Sequence, residues 1–383
     1  MDILHLITGL GQGGAEQVVY EIATRLDPAR FRTAVCSILE PTGERSVYAD
    51  RLGDAGIEVL SLGLDHKWQL RRAARLKNIL ESRRPDVLHC HMFHANILGR
   101  RMGSRAGIDH IISTVHISER RWRPWRFWLE RWTDSLGDLT VCVSRATLEF
   151  QARKTRLPES RFSVIPNGID TRRFAEPSRP PIAVRAELGI DRDARIVGGV
   201  GRLDRQKGYR YLIPAFDQLA GDDDALHLVI AGDGPTRRPL ETLAAGTACP
   251  DRIHLLGRRD DVPDLIHAFD VFAMPSIYEG FGLTAAEAMA AGVPVVASAV
   301  DSLPEVLGVG EPEGPVGRLV PPRRPDILAE AIADILAHRP TEMIERARAR
   351  ARREYDVEKM VRRYAELYDS IAGQTSESQP PST

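Results

Sequence analysis

Short apolar runs, each followed by a helical pattern, recur along most of this chain and restart once, and no other feature limits the fold as much. In the first half the runs are ILHLI, TAVCSI, IEVLSL, DVLHC, HIISTV, LTVCVS and FSVIPNG. From Arg195 the alternation begins again with IVGGVG, HLVIAG, RIHLLG, VFAMPS and PVVAS. Strands this uniformly apolar are buried on both faces, which requires parallel pairing with helices on each side of the sheet. The expected class is α/β, with two doubly wound halves and a cleft between them. Residues 1 to 170 form the first domain and 195 to 356 the second. Residues 171 to 194, rich in proline and charge, read as a linker. A last helical stretch over about 357 to 371 has Met360, Val361, Tyr364, Leu367 and Tyr368 at helical spacing and needs a packing partner. The tail 372 to 383, GQTSESQPPST after Ala372, is expected to be disordered.

Composition excludes several classes. With 43% hydrophobic and 27% charged residues the 383-residue chain is that of a globular protein of two domains. The start MDILHLITGL carries no basic leader, and no apolar run reaches about 18 residues free of Gly, Pro or charge, so a cytoplasmic protein is expected, neither secreted nor spanning a membrane. Cys36, Cys90, Cys142 and Cys249 are widely spaced without a CxxC pair and read as buried free thiols. The net charge of −1 hides an asymmetry, since residues 1 to 168 hold 25 Lys+Arg against 19 Asp+Glu and the remainder 27 against 34. The first half is thus the side for an anionic partner, and nothing in the chain suggests nucleic acid.

Several loops after strands could hold a phosphate. Gly9, Gly11 and Gly14 spell GxGxxG before the helical GAEQVVYEIATRL, with Glu40 closing the second strand. That spelling suits a dinucleotide, so an NAD(P)-dependent oxidoreductase stands as an alternative. In GRLDRQKG, Arg202 and Lys207 lie just past a strand and could converge on a diphosphate. In MPSIYEGFGLTAAEAMAAGVPVVAS a strand ends in a glycine turn and a helix begins near Leu283, leaving free N–H groups for an anion. Glu279 and Glu287 flank that helix start, and a carboxylate there can accept hydroxyl hydrogen bonds from a sugar or ribose.

Glu279 and Glu287 within EGFGLTAAEAMAAGVPVVAS, together with GRLDRQKG, IPNGID, AGDGP and the early GGAE, resemble the GT-B family of retaining glycosyltransferases numbered four. The resemblance runs from Gly13 to about Tyr368. It implies two Rossmann-like domains, a nucleotide-sugar donor bound mainly by the second, and a C-terminal helix returning to the first. It also implies roles. Arg202 and Lys207 would hold the donor diphosphate together with backbone N–H groups around Phe281, Gly282, Leu283 and Thr284. Glu287 would take the ribose hydroxyls and Glu279 those of the transferred sugar. His116 would lie beside that sugar, and Gly14 would bring backbone near the phosphate or acceptor. Arg258, next to Gly257, falls in the base-contacting region, where a UDP-sugar is favoured over GDP-mannose. The chemistry implied is a metal-independent, retaining hexosyl transfer with no cofactor beyond the donor substrate. A non-catalytic nucleotide-sugar-binding relative is the remaining alternative. The loop AVDSLPEVL departs from the family pattern by placing Asp301 and Ser302 where paired glycines are common.

Two further clusters invite a reading. His89, His91 and His94 in LHCHMFHAN lack a companion carboxylate or cysteine at ligand spacing, so no metal is expected, and His91 is placed on the acceptor side. Asp222, Asp223 and Asp224 fall in a loop before a strand and read as solvated turn residues. The stretch SERRWRPWRFWLERW, residues 118 to 132, holds four of the five tryptophans and five arginines. Trp122, Arg123, Trp125 and Arg126 are assigned to a face for a lipid-linked or saccharide acceptor, or for an anionic membrane surface on the inner side. The alternative is that Trp128, Leu129 and Trp132 bury against the domain core while only Trp122 and Trp125 stay exposed.

Overall fold

The computed structural model describes residues 1–43, 46–65, 73–118, 123–221 and 223–377, with side chains as far as Gly373. The chain divides into two compact units, Met1–Gly168 with Val357 onward, and Ile169–Asp356. The first holds strands β1 (Asp2–Ile7), β2 (Arg32–Leu39), β3 (Glu58–Leu64), β4 (Val87–His91), β5 (His110–Val115), β6 (Leu139–Cys142) and β7 (Phe162–Val164). They pair in the order β3-β2-β1-β4-β5-β6-β7, every pair parallel. The second holds β8 (Arg195–Val200), β9 (Leu226–Ala231), β10 (Ile253–Gly257), β11 (Val271–Met274), β12 (Val295–Ser298) and β13 (Arg318–Val320), in the order β10-β9-β8-β11-β12-β13 and again parallel.

Both orders reverse once. In the first sheet the reversal lies between β1 and β4, in the second between β8 and β11. At such a switch point the loops leaving two neighbouring strands run to opposite faces and open a crevice beyond the carboxyl ends, where ligands of doubly wound sheets bind. The candidate residues should therefore be sought after β1 and β4 in one unit and after β8 and β11 in the other.

The last helix, Val357–Glu377, closes one face of the first sheet. Val357, Met360, Val361, Tyr364, Tyr368 and Ile371 join one buried cluster with Ile3, Val18, Ile22, Val87 and Ile112. The helix runs five residues past Ala372, into the segment expected to be a structureless tail. Between Ala372 and Glu377 there is no proline to break a helix already started, and Gly373 is tolerated within it. Residues 378–383 lie outside the described residues.

Residues 171 to 194 are more ordered than their composition suggests. They contain helices Thr171–Ala175 and Pro181–Glu187, bury Phe174, Val184 and Ile190, and belong to the second unit. Pro181 occupies the first turn of its helix, where a missing N–H costs nothing. A proline-rich spelling had hidden a helix start. The four cysteines are free and buried.

Candidate active site

The second unit gathers its polar side chains at the β8/β11 switch point. The loop after β8 carries Asp204, whose Oδ1 accepts the backbone N–H of Gln206 at 2.9 Å and of Lys207 at 3.2 Å. This turn points Lys207 back across the strand end. Its Nζ donates to Glu279 Oε1 at 2.7 Å. Glu279 stands in the loop after β11 and also accepts from Ser276 Oγ at 2.8 Å and Gln206 Nε2 at 3.4 Å. With only 4% of its surface exposed, the carboxylate is desolvated and fully partnered, as a buried charge must be.

Two glycines allow the loops to meet. Gly208 has φ of +70°, and a Cβ there would come within 2.0 Å of the Pro275 carbonyl oxygen. Gly282 has φ of +98° and faces Leu303, whose Cδ2 would lie 2.7 Å from an added Cβ. Gly282 is the N-cap of helix Leu283–Ala291, which has neither a side-chain cap nor an acidic residue in its first turn. Its amino end is thus set up for an anion from outside the chain. Phe281 is buried, Leu283 and Thr284 are half-buried, and Glu287 is buried at the second turn of the same helix. Arg202 projects outward with 65% of its side chain exposed, its ion pair with Asp204 stretched to 3.9 Å. Arg258 is exposed just beyond Gly257.

The departure at Asp301 has a structural account. Its φ is +43°, the left-handed region that glycine would adopt freely, and its Oδ2 accepts the backbone N–H of Glu279 at 3.0 Å. Ser302 Oγ donates to the Phe281 carbonyl at 2.8 Å. Asp301 and Ser302 therefore tie the glutamate loop down from the far side.

In the first unit the β1/β4 switch point holds a row of imidazoles. His5 Nδ1 and His91 Nε2 share a hydrogen bond of 3.1 Å, and His91 Nδ1 and His116 Nε2 another of 3.1 Å. His89 lies beside the row, bonded to Tyr368 Oη and to Thr114 Oγ1, each at 2.7 Å. His5, His89 and His91 are fully buried. Burial pushes His5 down to about 3 and holds His89 and His91 well below the ordinary histidine value, so the row is neutral. Ring nitrogens of His5, His89 and His91 lie within 4.8 Å of one another. Both nitrogens of His89 and both of His91 are already engaged, a pattern of linked neutral rings rather than of ligands turned to a cation. His94 stands apart, its ring packed edge-on against Phe93.

Gly14 is the first residue of helix Gly14–Arg25, and Glu16 sits in that helix's first turn. A carboxylate there opposes a pyrophosphate at the same helix end.

The comparisons with known proteins bear on the whole chain. Residues 182–354 match the model of glycosyl transferases group 1, and residues 12–173 that of glycosyltransferase family 4. The chain is a family 4 type, group 1 glycosyltransferase. The enzyme is 26% identical over 352 residues to the putative glycosyltransferase EpsF of Bacillus subtilis, covering 86% of each chain. It is 28% identical over 236 residues to the UDP-Gal:alpha-D-GlcNAc-diphosphoundecaprenol alpha-1,3-galactosyltransferase of Escherichia coli, covering 59% of this chain and 61% of that one. Its fold is GT-B. HepE of Anabaena, solved in complex with UDP-glucose, superposes with a TM-score of 0.84 at 23% identity, covering 97% of this chain and all of HepE. Nothing in these comparisons favours the oxidoreductase alternative.

Within the glycosyltransferase, Lys207, Glu279 and the start of helix Leu283–Ala291 form one cluster, and His91 and His116 form another. Gln206, Ser276, Asp301 and His5 belong to these clusters although sequence reasoning passed over them as site residues. His5 had a signal, being a histidine inside an otherwise apolar strand. Among the described residues no helix is long and apolar enough to cross a membrane. Trp122 lies outside the described residues, as does Asp222, while Asp223 is ion-paired with Arg195. Helix Pro124–Asp134 overturns the alternative in which Trp128 and Trp132 are buried. Trp128 and Trp132 are more exposed than Trp125, and the buried positions are Phe127, Glu130, Thr133 and Asp134. The reason is the pair Glu130 and Arg100, 2.7 Å apart and nearly solvent-free, which fixes the other face inward.

Proposed function

We propose that this glycosyltransferase moves a hexosyl group from a UDP-sugar to a hydroxyl of a lipid-linked saccharide, retaining the anomeric configuration and using no metal ion at the diphosphate. The observation that carries the donor half is the Lys207/Glu279 pair beside the uncapped amino end of helix Leu283–Ala291. The ammonium and the helix N–H groups supply a positive field for the diphosphate, and the carboxylate is an acceptor for hydroxyls of the transferred sugar. Arg202 adds a second cation from solvent, and Glu287 is the carboxylate for the ribose. The UDP preference is supported by the UDP-glucose complex of HepE and by the donor in the name of the Escherichia coli relative, whose acceptor name supports a lipid-diphosphate saccharide.

As the bond between the anomeric carbon and the phosphate oxygen breaks, negative charge grows on the leaving diphosphate. Fixed donors aimed there favour the transition state over the ground state. The acceptor oxygen forms its bond to the anomeric carbon on the face the diphosphate leaves, and its proton passes to a departing phosphate oxygen. No protein carboxylate needs to act as a covalent nucleophile. Lys207, Arg202 and the helix terminus do what a divalent cation does in other transferases. His91 and His116 are assigned to the sugar and acceptor side, and Gly14 to the acceptor loop.

A thermal-shift screen against UDP, GDP, ADP and NAD, repeated on Lys207→Ala, tests the reading. Selective stabilisation by UDP that the variant loses is the expected result, because only a ligand of the native state stabilises it. Selective stabilisation by GDP would replace the donor class, and stabilisation by NAD alone would overturn the proposal. Turnover unchanged by EDTA is expected, and loss of turnover restored by a divalent cation would refute metal independence.

A further inference from the structure

Helix Pro124–Asp134 is amphipathic in an unusual sense, because its acidic side chains face in and its tryptophans face out. Trp125, Trp128 and Trp132 are 39%, 60% and 51% exposed. Their spacings of three and four residues place them on one face. Together they leave on the order of 300 Å² of indole in solvent, the size of the largest apolar patch on a typical monomer, which is often functional. Trp128 and Trp132 are stacked, with ring centroids 5.8 Å apart and planes within 4°. They form a flat plate.

Both acidic residues of the helix are turned away from that plate. Glu130 is paired with Arg100, and Asp134 accepts from Arg161 Nε at 2.7 Å. What the solvent face offers beside the indoles is basic. Arg123 is exposed at the helix's N-cap and Arg131 on the helix itself. Arg101 lies 5.2 Å over the Trp132 ring, and Arg126 lies 5.4 Å over that of Trp125. Lys154, exposed on the neighbouring helix, sits 6.0 Å from the ring of Phe127.

We propose that this face docks the enzyme onto an anionic lipid surface. Indoles prefer the headgroup layer, where an apolar body and a polar N–H both find partners, and guanidinium groups pair with lipid phosphates in the same layer. The charge is complementary to such a surface, and a flat plate suits a fluid layer whose lipids rearrange around it. The inference concerns where the enzyme works and does not depend on which donor it uses.

Flotation of the full-length enzyme with vesicles of phosphatidylcholine, alone or mixed with phosphatidylglycerol, tests the proposal. The comparison is with Trp128→Ser/Trp132→Ser, whose exposed positions leave the fold intact, as an unchanged thermal midpoint will verify. The wild type is expected to float with the mixed vesicles only, and the double variant to lose about tenfold or more in vesicle affinity. Quenching of wild-type tryptophan fluorescence by brominated lipid, reduced in the variant, is the second expected result. Equal flotation of the variant, no flotation of the wild type, or equal flotation on pure phosphatidylcholine would each overturn the proposal. So would a concentration-dependent dimer that the double substitution abolishes, since the face would then belong to a second copy of the chain.

Discussion

Lys207 is oriented before any donor arrives, by the Asp204 turn beneath it and the Glu279 carboxylate in front. Lys207→Ala is expected to lower kcat by about 10²- to 10³-fold, the usual cost of one donor to a developing oxyanion, with a smaller change in KM. Steady-state kinetics with the stabilising nucleotide's sugar will check it. Asp301 acts one step further out, as a positioning residue. Asp301→Ala removes the acceptor for the Glu279 N–H and puts alanine at a positive φ, so kcat/KM should fall by about tenfold. Asp301→Asn keeps an acceptor oxygen and tolerates the left-handed conformation, and is expected to restore most of the rate. Equal damage by both variants would leave Asp301 with only a charge effect. The sequence marked Asp301 as a departure and could go no further, because its hydrogen bond joins loops 22 residues apart.

Helix Pro124–Asp134 shows how one buried pair sets the orientation of an element. Its tryptophan spacing was plain in the sequence, but a helix has no inherent inside. Arg100 decides it, donating to Glu130 at 2.7 Å and to Thr140 at 2.7 Å from the helix and strand on either side. Breaking one half of such a pair strands a buried charge, so Arg100→Met should cost about 3–5 kcal/mol in urea unfolding. Arg100→Met with Glu130→Leu should recover most of that loss, since neither charge then remains buried. The helix Pro181–Glu187 carries the matching lesson. Proline reads as a break when the chain is extended and as a start when it occupies a helix's first turn, and only the buried Val184 and Ile190 beyond it show which applies.

For the whole molecule, the neutral histidine row predicts a loss of stability in acid. The row is faced by Tyr364 and Tyr368 of the last helix and by Thr114 of the neighbouring strand. The unfolded chain protonates these histidines below pH 6.5, whereas folded His5 resists protonation until about 3. The unfolded state therefore binds more protons in that window, and stability falls as pH drops through it, by up to about 1.4 kcal/mol per pH unit for each buried imidazole. Thermal midpoints between pH 7 and 5 should decline. The decline should be shallower in His5→Asn, which removes one titrating ring, and an equal slope in that variant would show that the acid sensitivity lies elsewhere.

The sequence alone determined the two parallel sheets, all their strands except the three-residue edge strand β13, the loops that bear Lys207 and Glu279, the helix that bears Glu287, and the family. These follow from period, polarity and local spacing, which are properties of short stretches. The tertiary structure decided what depends on distant partners. It joined His5 to His91 across 86 residues, set Asp301 behind Glu279, and turned Trp128 and Trp132 to solvent. Such pairings are fixed by strand order and by where buried charges find their counterparts, and the energy of burying them unpaired, which no local pattern encodes, selects the arrangement.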